Sequence, residues 1–412
     1  MNVNCLNLKK LMLLIIVATM FGTLGCDGTD EPNRENPKPI PTIHIYTEGG
    51  LPVDSKEDYR NATFTLDGHG TCDNIGETDL RIRGRGNSTW AQPKKPYRLN
   101  FNTAISFFGL PAVRNWVLLA NYLDETHLFN SVAFELGQRL NMPWTNNSFF
   151  VELYLNDSWQ GVYLLTQHLS GNVVLNGDDI LMELDVYFDE DHQFYSDIIE
   201  LPVMLQNPSN VATLERAKDI WDKIESKLYP PIYANTPEVL DSNSGWRDLF
   251  NLQSIMDYFL LYEIMGNTEI IAWPKSFFVR YLANDEKIHF GPIWDFDWGW
   301  QQYYIDSPDG IDAISYRKSN TPPPERNTPG RRFVSRFFDD PKFVREYKQY
   351  SKSVIETLNA DKYIDSLGAV LKPYMAKEYE KWEKTYNYNE QIAWFKNFHK
   401  RKMNAVKSYI NE

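Results

Sequence analysis

The sequence predicts an α+β fold, and three observations carry that prediction. Short β-type runs dominate from residue 42 to about 166, helical periodicity takes over from about 170, and a strand pair returns between residues 276 and 294. The first part reads as a β-rich lobe and the second as a largely helical one.

The elements follow in chain order. Ile43–Thr47 and Ala62–Leu66 are short runs of β-branched and aromatic residues. Leu80–Arg85 alternates apolar and basic residues, then breaks at Gly84 and Gly86. Trp116–Ala120 is a continuous apolar run, the pattern of a strand buried on both faces. Leu128, Val132, Leu136 and Leu140 recur at helical spacing, which predicts a helix over Thr126–Leu140. Phe149–Leu155 and Gly161–Thr166 flank Asn156-Asp157 and predict a hairpin. Helices are predicted over Val211–Leu228 and, with apolar Leu252, Met256, Phe259, Leu260 and Ile264 on one face, over Leu249–Met265. Ser276–Leu282 and Lys287–Trp294 read as two strands joined at Asn284-Asp285. Gly310–Gly330, rich in Pro, Ser and Asn, reads as a mobile loop, and two or three helices fill the chain from Pro341.

The N-terminus reads as an address. Lys9-Lys10, the apolar run from Leu11 and the small-residue close at Gly25-Cys26 have the order of a signal peptide over residues 1–25, with lipid attachment at Cys26. A plain secretory signal with an incidental cysteine is the other reading. Residues 26–42 are polar and proline-rich with no apolar period, so they read as a flexible tether. Its acids after Cys26 resemble the surface-export signals of Bacteroidetes-type lipoproteins. The expected location is therefore the cell envelope, at the outer membrane or cell surface, with membrane association through the N-terminal lipid. Of the three cysteines in the sequence, Cys5 would leave with the signal and Cys26 would carry lipid. Cys72 alone cannot form an internal disulfide. A formal charge of -13 argues against nucleic-acid binding.

Two segments carry chemistry. Leu80 to Arg98 holds six cations and no acid on an acidic chain. In a strand, Arg81, Arg83 and Arg85 share a face, because side chains alternate. Three guanidiniums side by side repel unless acids or an anion lie opposite, and arginine forks suit phosphate or carboxylate. Gly84 and Gly86 would let backbone N–H groups approach that anion. A salt-bridge ladder to acids elsewhere is the alternative. The second segment is Trp294-Asp-Phe-Asp-Trp-Gly299. Two carboxylates in aromatic surroundings are costly to bury ionised and unpaired, and a divalent cation such as Mg²⁺ offsets that cost. Otherwise each pairs with an arginine or caps a helix. Together the basic strand and the acid pair describe a nucleotide site. The seven histidines show no zinc spacing, and neither a Walker loop nor a Gly-x-Ser-x-Gly elbow is present.

These segments also carry a resemblance. Arg81-Ile-Arg-Gly-Arg-Gly-Asn-Ser-Thr-Trp90, Lys94-Lys-Pro-Tyr-Arg-Leu99, Trp116–Tyr122 with Asp124, Glu152–Asn156 with Gly161–Leu165, Asp257-Tyr258 with Gly266-Asn267, and Trp294–Asp297 follow the order of the CotH kinase family over roughly residues 80 to 300. The resemblance implies an atypical protein-kinase-like two-lobed fold spanning 43–412, with an N-lobe to about 169 and a C-lobe from about 170. It implies ATP and Mg²⁺ as cofactors and phosphoryl transfer to Ser or Thr of a protein substrate. By the same resemblance Lys94 or Lys95 grips nucleotide phosphate, with Arg83 and Arg85 beside it. Asp295, Asp297 and Asn267 hold the metal, and Glu269 with Asp295 carries catalysis. Glu269 stands where family members often have Asp, and Gln167 where they often have Glu. The competing expectation is a non-catalytic surface module, binding a glycan or protein partner or purely structural, with a degenerate kinase-like site.

Overall fold

The computed structural model describes residues 38–169, 173–229, 239–271, 274–298, 314–315 and 328–412. Cys26, the signal and the tether up to residue 37 lie outside these residues, as does most of Gly310–Gly330. The fold is mixed α+β, with strands concentrated in the N-terminal part and helices in the C-terminal part.

Seven strands close into a barrel. They are β1 (Thr42–Thr47), β2 (Arg60–Asp67), β3 (Ile75–Gly84), β4 (Tyr97–Ile105), β5 (Val113–Leu119), β6 (Ser148–Leu155) and β7 (Ser158–Gln167), ordered β1-β2-β3-β4-β5-β7-β6. Every pairing is antiparallel except the closing one, where β1 runs parallel to β6 with Ile43 opposite Leu153. Alternation decides the interior. Ile43, Ile45, Phe64, Leu80, Ile82, Leu99, Phe101, Trp116, Leu153 and Leu165 fill it, each such side chain stabilising the fold by roughly 1.5–3 kcal/mol when fully buried. Arg81 and Arg83, on the opposite face of β3, therefore point outward. The hairpin expected around Asn156-Asp157 forms, both turn residues adopting left-handed conformations.

A second sheet follows, with the order β12-β11-β8-β10-β9. It comprises β8 (Ile180–Leu184), β9 (Gln193–Tyr195), β10 (Pro202–Asn207), β11 (Phe277–Leu282) and β12 (Lys287–Phe290). The strands at 180–207 correct the sequence expectation that the chain turns helical from 170. Lys287–Trp294 is also shorter than expected. Gly291 at φ 101° turns the chain after Phe290, and Pro292 has no N–H to continue the ladder.

The described residues contain seven α-helices: α1 (Phe129–Arg139), α2 (Val211–Leu228), α3 (Leu252–Met265), α4 (Pro329–Phe337), α5 (Pro341–Val354), α6 (Asp361–Lys381) and α7 (Tyr388–Asn411). Helix α2 has the bounds expected from its periodicity. Helix α1 starts three residues late because Asp124 takes the backbone N–H groups of Thr126 and Phe129 and holds the intervening residues in a turn. Helix α3 starts at Leu252 because Asn251 caps it, accepting from Ser254 N. Its apolar residues pack against the second sheet and α4, with Phe259, Phe290, Phe333 and Phe337 in mutual ring contact. No helix among the described residues is long and apolar enough to cross a membrane.

Candidate functional site

A cavity of about 470 Å³ lies where the barrel faces the second sheet. Its two walls have opposite character. The barrel contributes Arg83 from β3, Arg85 and Gly86 just beyond it, Arg98 from β4 and Lys56 from the β1–β2 connection. Glu183 and Asp185 at the end of β8, Glu269 after α3, and Asp295 and Asp297 after β12 form the other wall.

The cationic wall is built by strand register. Arg83 and Arg98 are directly opposite each other on β3 and β4, an arrangement that is unfavourable for like charges. Arg83 rests on the Tyr59 ring at 5.2 Å and Arg85 on the Trp294 ring at 5.5 Å. Among the described residues, none of Arg83, Arg85 and Arg98 has an ion-pair partner within 4.0 Å, and the Nε atoms of Arg83 and Arg98 lack hydrogen-bond partners. Among the described residues these three therefore form no close salt-bridge ladder, and acids act on them from farther away, Asp295, Asp297 and Glu183 on Arg85 and Glu190 on Arg98. Burial, together with Arg98, Arg85 and Arg83, drives the His168 imidazole well below its usual range. Of the two glycines expected at an anion, only Gly86, at φ 80°, lines the cavity. Gly84 instead makes room for Trp90, whose ring would lie 2.3 Å from an added Cβ.

The acidic wall is strained and crowded. Asp295 sits at φ 64° and Ser276 at φ 47°, both left-handed and neither glycine. Ser276 Oγ donates to Asp295 Oδ2 at 3.4 Å, and Ser276 N donates to Asp185 Oδ2 at 2.9 Å. Burial and the neighbouring Asp295 carboxylate push Asp297 well up. Burial first, then Asp295, raises Glu269 to about 7, against the opposing charge of Lys275. The Lys275 ammonium lies 3.3 Å from Glu269 Oε1. Burial raises Asp185 to about 6, although it accepts backbone N–H groups from Tyr187 and Ser276. Carboxylates driven toward protonation by burial and then by one another make a site that a cation would relieve.

The residues present fit a divalent cation bound chiefly by Asp295 and Asp297. Among the described residues no cluster of three or more His, Cys, Asp or Glu side chains has metal-ligand spacing. Such an ion would take its other ligands from phosphate and water, as Mg²⁺ commonly does. Asn267 does not fit as a ligand. It lies outside the cavity lining, its Nδ2 donates to Asp295 O at 3.0 Å, and its Oδ1 accepts from Glu269 N at 3.0 Å.

The two lysines expected at the phosphates are elsewhere too. Lys94 is fully buried and paired with Glu378 of α6. Lys95 donates to Trp90 O at 2.7 Å and does not line the cavity. In β4 the side chain facing the cavity is that of Arg98. Gln167 also lies outside it, donating to Pro111 O at 3.2 Å. The structure therefore gathers Arg83, Arg85, Glu269, Asp295 and Asp297, and leaves out Lys94, Lys95 and Asn267. Sequence reasoning assigned no role to Arg98, Glu183, Asp185 or Lys275. Met182-Glu-Leu-Asp185, two acids inside an apolar run, was the one local signal for the second and third.

The family model described as CotH kinase protein matches residues 81–406, so the chain belongs to the CotH kinase family. A search of curated proteins finds no match.

Proposed function

From its place in the CotH kinase family and from its two facing walls of charge, we propose that this protein is a metal-dependent phosphotransferase. It moves the terminal phosphoryl group of ATP to a Ser or Thr hydroxyl of a protein substrate. The barrel then serves as the N-lobe of an atypical kinase-like fold, and the second sheet with the helices as its C-lobe. The supporting observation is the trio Arg83, Arg85 and Arg98, without close ion pairs among the described residues, facing the neighbouring carboxylates of Asp295 and Asp297.

In this reading Arg83, Arg85 and Arg98 grip phosphate oxygens and offset their charge. Asp295 and Asp297 hold Mg²⁺, which when bound neutralises charge on the transferring group. Glu269, with its carboxyl near neutrality, accepts the proton of the acceptor hydroxyl. Lys275 stays beside Glu269 and keeps the carboxylate available. Cys26 would carry the lipid that tethers the domain to the envelope.

Titration calorimetry on the full chain with MgATP tests the proposal, beside labelled-ATP transfer to itself or to a generic protein. Binding and transfer are expected in the wild type and are expected to disappear in Asp295→Ala. Absence of nucleotide binding in the wild type overturns the proposal and leaves the non-catalytic binding module standing.

A further inference from the structure

The two peptide groups that flank the Asp295 Cα are held by side chains from three places in the chain. Tyr262 Oη, from α3, donates to Trp294 O at 3.3 Å. Asn267 Nδ2, just after the left-handed Gly266 that ends α3, donates to Asp295 O at 3.0 Å. Phe296 N donates to Asn130 Oδ1, from α1, at 2.8 Å. Both asparagines are almost completely buried, Asn130 at 1% exposure and Asn267 at 2%.

Each asparagine is itself held at its other end. Asn130 Nδ2 donates to Asn121 Oδ1 at 3.1 Å, and Asn121 Nδ2 donates to His127 O at 2.9 Å. Asn267 Oδ1 accepts from Glu269 N, so one side chain touches the backbones of both Asp295 and Glu269. These bonds also fix which way each amide faces, because the oxygen must accept and the nitrogen must donate. A left-handed aspartate persists only where its surroundings over-determine it, and here the peptide groups on both sides of its Cα are pinned.

We propose that Asn267 and Asn130 are positioning residues that hold Asp295 in its left-handed conformation and so aim its carboxylate into the cavity. Asn267 in addition sets the spacing of Asp295 from Glu269. The inference rests on the reading that Asp295 holds a cation. It differs from a ligand role for Asn267, because both of that amide's polar atoms are engaged with backbone.

Mn²⁺ affinity of the full chain, read by electron paramagnetic resonance, tests it. Asn267→Leu and Asn130→Leu are expected to weaken Mn²⁺ binding by about 10–100-fold, as loss of partners that orient metal ligands does. Asn130→Asp keeps the acceptor for Phe296 N and is expected to stay closer to wild type. Affinities within twofold of wild type in folded Asn267→Leu and Asn130→Leu overturn the inference. A purely structural role would lower the melting temperature and leave the affinity alone.

A second measurement decides the matter even if the wild type binds no Mn²⁺, a result that would count against the cation site itself. Glycine adopts the left-handed conformation freely. The loss of melting temperature caused by Asn267→Leu is therefore expected to shrink in an Asp295→Gly background. Equal losses in the two backgrounds overturn the clamp.

Discussion

Lys94 Nζ lies 2.6 Å from Glu378 Oε1, in an ion pair whose side chains are 0% and 2% exposed. It joins the barrel to α6 across 284 positions of sequence. The same carboxylate accepts Val162 N at 2.8 Å, and Lys94 also donates to Val162 O. Removing one member leaves a buried charge unmatched. Lys94→Met is expected to cost about 3–5 kcal/mol in denaturant unfolding, while the folded variant keeps its MgATP affinity by calorimetry. A lysine at the phosphates would give the reverse pattern.

Gly161 gives this ion pair its room. Its φ is 108°, and an added Cβ would lie 2.2 Å from Glu378 Oε2. Gly161→Ala must therefore both strain the backbone and push Glu378 off Val162 N. A loss of about 2–3 kcal/mol is expected from overpacking and strain, measured by chemical denaturation. An unchanged midpoint would mean that α6 can retreat without cost.

Arg98 sets stability against binding. Its guanidinium faces Arg83 across β3 and β4 and, among the described residues, has no ion-pair partner within 4.0 Å, Glu190 acting on it only from farther off. Arg98→Gln should relieve the repulsion and raise stability by roughly 0.2–1 kcal/mol. It should also lower MgATP affinity about tenfold or more, since a charged hydrogen bond to phosphate is lost. Calorimetry and thermal unfolding on the same samples check the opposite signs.

His399, in α7, is 1% exposed, and its Nε2 lies 3.1 Å from both Ala360 N and Leu358 O. Burial holds its imidazole down at about 4, against an ordinary 6.5. Between those values the unfolded chain binds the proton and the folded chain does not. Stability from this site is thus full above about 6.5 and is lost as pH falls toward about 4, by roughly 3 kcal/mol in all. The difference in unfolding free energy between wild type and His399→Gln, followed from pH 7 to pH 4, should move in favour of the variant by that order. A constant difference would contradict the assignment.

The sequence by itself determined what short-range pattern can carry. Alternation placed Leu80 and Ile82 inside the barrel and Arg83 outside, and helical period bounded α2 at Val211–Leu228. The Asn156-Asp157 hairpin, the basic strand and the Asp295/Asp297 pair were legible because each is written within a few neighbouring residues. Strand β8 was not legible, since Ile180–Leu184 is a short apolar run that fits a buried helix turn as well as a strand. Nor could any local pattern decide between Lys94, Lys95 and Arg98 as the cation facing the cavity. Tertiary structure made that choice by bringing Glu378, from the far end of the chain, to Lys94 in the barrel. A charge goes where its partner compensates desolvation, and the partner's position is a property of the fold. The same holds for Asn267, whose amide the family resemblance implies as a ligand and which is bonded to two backbones in space.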